Sequence, residues 1–394
     1  MIKGASIVYT IKTLNKISPL GLEKLSSRGF CLDDSASAPE GILVRSAAMH
    51  DMELPASLLA VARAGAGVNN IPLDRCAEAG IVVFNTPGAN ANAVKELVIG
   101  AMIMASRDVM GGSLWVREQV RAGVDITAVV EKGKAAFAGP EITGKTLGVI
   151  GLGAIGVLVA NVAVAMGMEV VGYDPYLSVG TALRLERGVR VVSTPGELAA
   201  QCDYLTIHVP YNDETKHTVG AELISKMKDG VRVINLARGE LVDDDAMLAA
   251  LENGKVACYV TDFPNNRISL AKNVLPLPHL GASTPESEDN CAVMAADELA
   301  DYLENGNIRN SVNLPACEMA RSGAVRLCIL HRNVPNMLSK FLSELASDGA
   351  NVENMVNKSR GAYAYTMIDF AADVPARALE TVRAMPDVLR LRVI

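Results

Sequence analysis

The sequence predicts an α/β protein with two doubly wound parallel sheets of the Rossmann type and a small α+β unit at the end. In the first 90 residues, and again from Thr146 to about residue 278, short runs of branched apolar residues alternate with helical patterns. Such alternation is typical of parallel sheets, because each strand needs a crossover helix before the next. From Ala320 onward, two strand-like runs and two helical patterns predict a separate, smaller unit.

In the first part, four runs predict strands: SIVYTI, GILVRS, LLAVARAG and GIVVFN. A helix is expected from Pro72 to Ala79. One long helical pattern follows from Asn92 to Gln119, interrupted at Gly111-Gly112, and a poorly patterned connector extends to Pro140.

The second part contains seven strand-length runs: TLGVIG, MEVVGYD, VRVV, YLTIHVP, VRVINLA, ACYVTD and VLPLPH. Continuous apolar runs of this kind suit strands that are covered on both faces. A helix is expected from Ser283 to Glu304, with its end at Asn305-Gly306.

The tail begins after a predicted linker, Asn310 to Gly323. The runs RLCILH and AYAYTMIDF predict strands, and helices are expected from Pro335 to Gly349 and from Val374 to Met385. Basic residues outnumber acidic ones from Ala320 onward, whereas the rest of the chain is acidic. This change in charge supports a domain boundary near residue 315.

Composition excludes several classes of protein. The 394 residues contain 37 Lys and Arg against 44 Asp and Glu, a net charge of −7 without the basic surface of a nucleic-acid binder. The longest uncharged apolar stretch, Leu97 to Ala105, is too short to span a membrane. The start, MIKGASIVYTIK, lacks a signal-peptide pattern, so we expect a cytoplasmic chain. The seven cysteines form no CxxC pair or Cys/His cluster, and we expect no metal site.

A dinucleotide-binding fingerprint follows the strand TLGVI. Gly151 permits a tight turn, Gly153 lets a pyrophosphate approach the backbone, and Gly156 lets the following helix pack on the strand. The amides around Ala154 and Ile155 would then receive the phosphates. Asp174, 18 residues past Gly156, suits the adenosine ribose hydroxyls and would repel a 2′-phosphate. We therefore predict NAD as the cofactor, rather than NADP; a turn or helix-capping role for Asp174 is the alternative.

Two further motifs lie at strand ends, NLARGELVD at 235–243 and PHLGAST at 278–284. Together with VRS at 44–46, GAGVNN at 65–70, NTPGANA at 85–91, HVP at 208–210 and VTDFP at 260–264, they make the chain resemble the D-2-hydroxyacid dehydrogenase family over essentially its whole length. The resemblance implies a discontinuous substrate-binding domain, 1–92 with 286–314, an NAD-binding domain, 93–285, and a regulatory domain, 318–394.

Oxidation of a 2-hydroxy acid needs a base, and His279 is our candidate because histidine titrates near neutral pH. Arg238 offers a planar fork for the substrate carboxylate and the C2 oxygen. Asp262 resembles the family acid that contacts the nicotinamide carboxamide, with helix capping as the alternative. The resemblance implies that further cofactor contacts come from these residues: His208, Val209, Pro210, Leu236, Ala237, Gly281 and Ala282.

The sequence departs from the family at one position. The family's base is paired with a glutamate five residues beyond the acid corresponding to Asp262, and Arg267 stands there, preceded by Asn266. Without a carboxylate partner, a protonated imidazole loses stabilisation. Glu286 and Glu288 are candidate substitutes, although favourable charge at a helix start is the simpler role.

An acidic protein needs local cations to hold a phosphorylated substrate. Arg45, with Ser46 beside it, is our candidate for the phosphate. The turn containing Gly67, Val68 and Asn69 resembles the family's loop for the substrate carboxylate and would use backbone amides.

The tail resembles an ACT domain, a βαββαβ module that pairs with a second copy and binds amino acids. Matching its serine-binding motif gives His331, Asn333 and Asn351 as effector residues. The motif's usual glycine is replaced by Asn336, where a backbone that needs positive φ would be disturbed. A purely structural dimerisation module is the alternative.

The resemblance implies NAD-dependent oxidation of 3-phospho-D-glycerate to 3-phosphohydroxypyruvate, the first step of serine biosynthesis, in a homodimer or homotetramer. The alternatives are another 2-hydroxyacid dehydrogenase or a hydroxypyruvate or glyoxylate reductase, and an NAD-sensing scaffold with little catalysis. NADH formation with several hydroxy acids distinguishes them.

Overall fold

The computed structural model describes residues 8–347 and 351–394. The chain divides into two compact units, residues 1–90 with 285–394 and residues 91–284. The predicted fold class is confirmed: two parallel sheets of the Rossmann type are present, with a separate small antiparallel sheet.

The first stretch of chain forms a five-stranded parallel sheet with the strand order β2-β1-β3-β4-β5. Strands overlap all four predicted runs, although β1 begins at Thr10 and the first two residues of SIVYTI lie outside the described residues. The sequence pattern did not predict the short β2 or the helix α1. The elements are β1 (Thr10–Thr13), α1 (Pro19–Ser27), β2 (Cys31–Leu32), β3 (Gly41–Val44), β4 (Ala60–Arg63), α2 (Leu73–Glu78) and β5 (Val82–Phe84).

The second unit contains a seven-stranded parallel sheet with the order β12-β11-β10-β9-β6-β7-β8, and all seven predicted strands are present. Its elements are α3 (Ala91–Ser106), α4 (Val109–Arg121), α5 (Ile126–Gly133), β6 (Thr146–Ile150), α6 (Ala154–Ala165), β7 (Glu169–Tyr173), α7 (Val179–Ala182), β8 (Val189–Val191), α8 (Pro195–Ala199), β9 (Tyr204–Ile207), α9 (Ala221–Lys226), β10 (Val231–Asn235), α10 (Asp244–Glu252), β11 (Val256–Thr261) and β12 (Val274–Pro276).

The expected break at Gly111-Gly112 was wrong, because the helical pattern breaks earlier, between α3 and α4. Asp108 caps α4 by accepting a hydrogen bond from the Gly111 amide at 2.8 Å. A Cβ at Gly111 would overlap the Asp108 carboxylate, so the glycine makes room for the cap. The expected unpatterned connector is also helical, since it contains α5 and a short 3₁₀ helix, Lys134–Phe137.

The third stretch returns to the first unit. It begins with a long helix, Pro285–Asn305, that packs on α1 and β4. This helix ends at Gly306, which has φ of 74°, in agreement with the predicted end. The tail then follows the order βαββαβ with the sheet order β14-β15-β13-β16. The elements are α11 (Pro285–Asn305), β13 (Val325–Arg332), α12 (Met337–Ser347), β14 (Val352–Arg360), β15 (Tyr363–Phe370), α13 (Ala376–Arg383) and β16 (Val388–Val393).

The tail sheet is packed on both faces. One face carries α12 and α13, and the other contributes Cys328, Leu330, Tyr365 and Met367 to the same apolar core as Tyr302 of α11. The segment expected to be a linker is part of this packing, since Leu314, Cys317 and Met319 are buried. The assignment of residues 318–394 as a separate domain stays a prediction.

Arginines of the tail reinforce this packing. The fully buried Arg326 forms a two-point ion pair with Asp369, at 2.6 and 2.8 Å, and also donates to the carbonyl oxygens of Asn305 and Met319. Arg392 donates to the Tyr302 and Leu303 carbonyls, and Arg390 to those of Leu58 and Ala79. These tail arginines thus donate to carbonyl groups near the end of α11, before β4 and after α2.

No single described helix is long and apolar enough to cross a membrane; α3 and α4 pass such a test only as a pair, bent by 63°.

One buried carboxyl predicts a pH-dependent stability. Glu298 on α11 accepts a 2.6 Å hydrogen bond from Asn310 at Oε1, while its buried Oε2 contacts no donor among the described residues. Burial raises the pKa of Glu298 from its ordinary 4.5 to about 7. Between these values the folded chain retains a proton that the unfolded chain has released, so stability falls as pH rises through this window and stays lower above it.

We therefore expect Glu298→Gln, which keeps the Oε1 acceptor, to flatten this dependence and to stabilise the chain at pH 8 by up to about 3 kcal/mol. Urea unfolding at pH 5 and pH 8 measures the effect, and Glu23→Gln on the exposed face of α1 is the control. Equal pH dependence in wild type and Glu298→Gln would contradict the assignment.

Candidate active site

Three neighbouring strands end at the same edge of the second sheet. β10, β11 and β12 are paired in parallel, with Asn235 opposite Thr261 and Thr261 opposite Pro276. The chain leaves these strands through Arg238, Asp262 and His279. Because carboxyl ends of parallel strands share one edge, the three predicted site residues are brought to a single region of this unit.

The glycine loop follows β6 at the same edge. Gly151 has φ of 91°, and a Cβ there would lie 2.8 Å from the His208 carbonyl oxygen. A Cβ at Gly156 would overlap the Gly151 carbonyl oxygen, so α6 approaches the strand closely only with glycine there. Gly153 precedes α6 without any side-chain cap, and a Cβ at this position would meet open space. The first amides of α6, including those of Ala154 and Ile155, therefore have the arrangement that receives phosphate groups.

Asp174 closes the loop from the end of β7. Its Oδ2 accepts from the Leu152 amide at 2.9 Å and its Oδ1 from the Tyr176 amide at 2.8 Å. The turn role considered from the sequence is therefore real, and the half-buried carboxylate keeps further lone pairs for ribose hydroxyls.

The turn containing His208, Val209 and Pro210 packs under the glycine loop. His208 Nε2 lies 3.0 Å from the Thr206 hydroxyl, while the buried Nδ1 has no partner among the residues described. Desolvation lowers the pKa of His208 to about 4, so its ring is neutral at neutral pH. A neutral ring is unsuited to pairing with phosphate charge, and its hydrogen bond to Thr206 orients it within the turn.

Arg238 is positioned by the turn that follows β10. Asn235 accepts from the Ala237 amide at 3.1 Å and donates to the Arg238 carbonyl at 2.8 Å. The half-buried guanidinium donates to the Ala237 carbonyl at 2.6 Å, while Leu236 is buried in the core. The remaining guanidinium N–H groups suit a carboxylate.

Asp262 is almost completely buried. Its Oδ2 accepts from the Gly281 amide at 2.8 Å, whereas the buried Oδ1 has no described partner. Burial raises the pKa of Asp262, against the opposing effects of the Gly281 amide, His279 and Arg238. An orphaned acceptor beside the two catalytic candidates fits the amide of a nicotinamide carboxamide.

His279 is exposed, and its ring packs against Phe263, with the centroids 4.6 Å apart and the planes at 49°. The sequence reasoning missed Phe263, although an aromatic residue directly after the strand-end acid was a usable signal. Arg267, at the expected glutamate position, is exposed and forms an ion pair with Asp245 of α10.

The substrate candidates of the first unit have partners of their own. Arg45 forms a 2.7 Å ion pair with Glu288 in the first turn of α11, which gives this carboxylate a partner within its own unit. Asn15 accepts from the Arg45 amide at 3.1 Å and donates to the Ser46 hydroxyl at 2.9 Å. Asn15 carried no sequence signal, because only the fold brings it to this strand end.

The turn after β4 contains Gly67, Val68 and Asn69. The Val68 carbonyl accepts from the Ile71 amide, and the Asn69 carbonyl lies 2.9 Å from the His50 ring. Arg63 lies over Gly65, where a Cβ would overlap its guanidinium, and donates to the Arg45 carbonyl at 3.0 Å. The structure thus places a second cation beside this turn.

Of the three effector candidates in the tail, His331 is buried, whereas Asn333 and Asn351 are exposed. His331 is buried, with Nδ1 2.8 Å from the Arg332 carbonyl and Nε2 2.9 Å from the Thr366 hydroxyl, and burial lowers its pKa. Asn333 donates to the Gly361 carbonyl at 3.0 Å, and Asn351 is exposed. The expected disturbance at Asn336 was wrong, because this residue adopts φ of 68°, which asparagine tolerates.

Comparison with known proteins identifies the family of this chain. Residues 99–281 match the NAD-binding domain of the D-isomer specific 2-hydroxyacid dehydrogenases. D-3-phosphoglycerate dehydrogenase of Escherichia coli is 32% identical over 83% of this chain and 79% of the relative. The enzyme of that name from Methanocaldococcus jannaschii is 33% identical over 76% of this chain, which spans 55% of the relative's length. The NAD⁺-bound 3-phosphoglycerate dehydrogenase of Entamoeba histolytica has a TM-score of 0.61 at 26% identity, over 78% of this chain and 99% of its own.

The chain belongs to the D-2-hydroxyacid dehydrogenases, a family of oxidoreductases, and it contains their NAD-binding domain. The uncapped start of α6, the open space above Gly153 and the orphaned Asp262 Oδ1 all fit NAD as the cofactor.

The position of Asp174 predicts its effect on cofactor choice. Asp174→Ala removes an acceptor for the ribose, a partner of the Leu152 amide and the charge that repels a 2′-phosphate. We expect NADH affinity to fall about tenfold, with a smaller loss for NADPH. Fluorescence titration with both nucleotides measures this, with Asp213→Ala at an exposed site as the control. If the ratio of NADH affinity to NADPH affinity does not change, Asp174 serves the turn alone.

Proposed function

We propose that this chain oxidises 3-phospho-D-glycerate to 3-phosphohydroxypyruvate with NAD, and that it supplies the first step of serine biosynthesis. The observation that carries the proposal is the placement of Arg238, Asp262 and His279 after three adjacent strands of the sheet that bears the glycine loop. The names of the relatives support the substrate.

Each side chain has a distinct part in this reaction. His279 accepts the proton of the C2 hydroxyl, which leaves negative charge to develop on the C2 oxygen. Arg238 pairs with the substrate carboxylate and with that oxygen as the charge grows, so its contribution increases toward the transition state. Asp262 Oδ1 would accept from the nicotinamide carboxamide and orient the ring. NAD, when bound, takes the hydride from C2.

The decisive measurement is NADH formation with 3-phosphoglycerate, set beside D-glycerate and D-lactate. Preference for 3-phosphoglycerate supports the proposal. Faster turnover of another hydroxy acid, or of glyoxylate or hydroxypyruvate in the reverse direction, would identify a different member of the family. NAD binding without turnover on any of them would favour the sensing scaffold.

Arg45 is proposed to pair with the substrate phosphate, with Ser46 and the Gly67, Val68 and Asn69 turn contributing further contacts. Because Glu288 already neutralises Arg45 in this structure, the phosphate must compete for the guanidinium.

We expect Arg45→Ala to raise KM for 3-phosphoglycerate about tenfold, since charge-assisted contacts of this kind are worth at least that factor. KM for D-glycerate, which has no phosphate, should stay within twofold. Glu288→Gln, which frees Arg45, is the matched variant and should lower KM for 3-phosphoglycerate. If Arg45→Ala raises KM equally for both substrates, Arg45 does not bind the phosphate.

We also propose that the tail is an ACT domain that binds serine through His331, Asn333 and Asn351. The βαββαβ order supports it, whereas the buried and internally bonded His331 favours the alternative of a structural module. Serine inhibition of NADH formation tests between them.

A homodimer through α4 and α5 is the proposed assembly, with a homotetramer through the tail as the larger form, in the cytoplasm. Neither helix buries a single residue, and the exposed apolar residues of α4 are Val109, Met110, Leu114 and Val120. An apolar helix surface of this kind suits a subunit interface.

Leu114→Glu is expected to separate subunits by burying an unpaired charge at the interface. Analytical ultracentrifugation should show the mass halved relative to wild type. Leu270→Glu is the control, because Leu270 is equally apolar and 89% exposed outside these helices. An unchanged mass in Leu114→Glu would place the interface elsewhere.

A further inference from the structure

We propose that Phe263 is a positioning residue for the hydride-transfer site, where its ring replaces the absent glutamate as the neighbour that orients His279 and favours its protonated form. This inference rests on the proposed function, since it assigns a role within that reaction. The feature that carries it is an aromatic ring in contact with both catalytic candidates.

Phe263 lies against His279 and Arg238 together. Its ring centroid is 4.6 Å from that of the imidazole, and the guanidinium carbon of Arg238 is 5.7 Å from the same ring. Both distances fall within the range of aromatic pairing and of cation–π contact. The half-buried ring thus links the base and the carboxylate-binding arginine.

The backbone holds this ring in place. The Phe263 amide donates to the Thr261 hydroxyl at 3.1 Å, which fixes the turn at the end of β11. Gly239, next to Arg238, lies beside Phe263, since a Cβ there would be in ordinary contact with the Phe263 Cβ at 3.4 Å. Neither contact depends on a bound ligand.

His279 needs such a neighbour. Within residues 8–347 and 351–394, neither of its ring nitrogens takes part in a hydrogen bond, and Arg267 is turned to Asp245. Among the described residues of this unit, the Asp262 carboxylate interacts electrostatically with both His279 and Arg238. The face of an aromatic ring carries negative charge density, so Phe263 adds to the effect of Asp262.

The consequence for the reaction is direct. His279 becomes a cation when it accepts the hydroxyl proton, and a contact that strengthens with this charge lowers the barrier. The same contact limits the rotation of an exposed ring, so the base stays aligned with the hydroxyl.

Phe263→Leu tests the proposal, because it keeps an apolar side chain at a half-buried position and removes the ring. We expect kcat with 3-phosphoglycerate to fall about three- to tenfold. The acidic limb of the pH profile of kcat/KM should move to lower pH by roughly half a unit, with NADH affinity unchanged. Phe263→Tyr should restore both values.

Phe30→Leu is the control, since it removes a ring that stacks on Tyr9 in the other unit, and it should leave the pH profile in place. A purely structural role for Phe263 would lower kcat or stability and leave the acidic limb where it is. That result would overturn the proposal.

A second measurement does not need turnover. The ring of Phe263 should displace the His279 Cε1–H proton resonance upfield, and Phe263→Leu should abolish this displacement while Phe263→Tyr retains it; His279→Gln identifies the resonance among five histidines. If the wild type oxidises no hydroxy acid, the proposed function fails while this experiment still decides the contact. An unmoved resonance in Phe263→Leu overturns the positioning role in either case.

Discussion

The parallel hydrogen-bond register of β10, β11 and β12 is the constraint on which the rest of the site depends. Parallel pairing aligns Asn235, Thr261 and Pro276 at one level, and each strand then continues into a turn at the same sheet edge. Residues that are far apart in the chain, Arg238 and His279 among them, share one region for this reason alone. A shift in either pairing would separate the groups without altering any of them.

Much of this arrangement could be predicted from sequence because it depends on local signals. The strands are continuous apolar runs. The loop requires glycine at two positions, because Gly151 has a positive φ and Gly156 packs closely against the preceding strand. Strand ends and parallel order then place Arg238, Asp262 and His279 near one another. Local chemistry and topology together were sufficient for these residues.

Other features depend on contacts that no local pattern encodes. Glu288 pairs with Arg45 from a helix more than two hundred residues away, and Asn15 reaches the same strand end from another loop. The start of α4 was misplaced because a glycine pair reads as a helix breaker, whereas Gly111 accommodates the Asp108 cap. Phe263 was overlooked because its contacts with His279 and Arg238 exist only once the fold brings the strand ends together. In each case the deciding partner is brought in by the fold.

The buried ion pair of Arg326 with Asp369 bears on how the tail can be studied. This pair is fully enclosed, and the same guanidinium donates to the carbonyl of Asn305, the last residue of α11. Arg392 donates to two further carbonyls of that helix, and Arg390 donates to the carbonyls of Leu58 and Ala79. Deleting the tail would uncover the apolar side of Tyr302 and Leu303 and leave several carbonyl groups without donors. Loss of activity in a truncated chain would therefore report a damaged scaffold, so ligand-driven effects of the tail must be sought in the intact polypeptide.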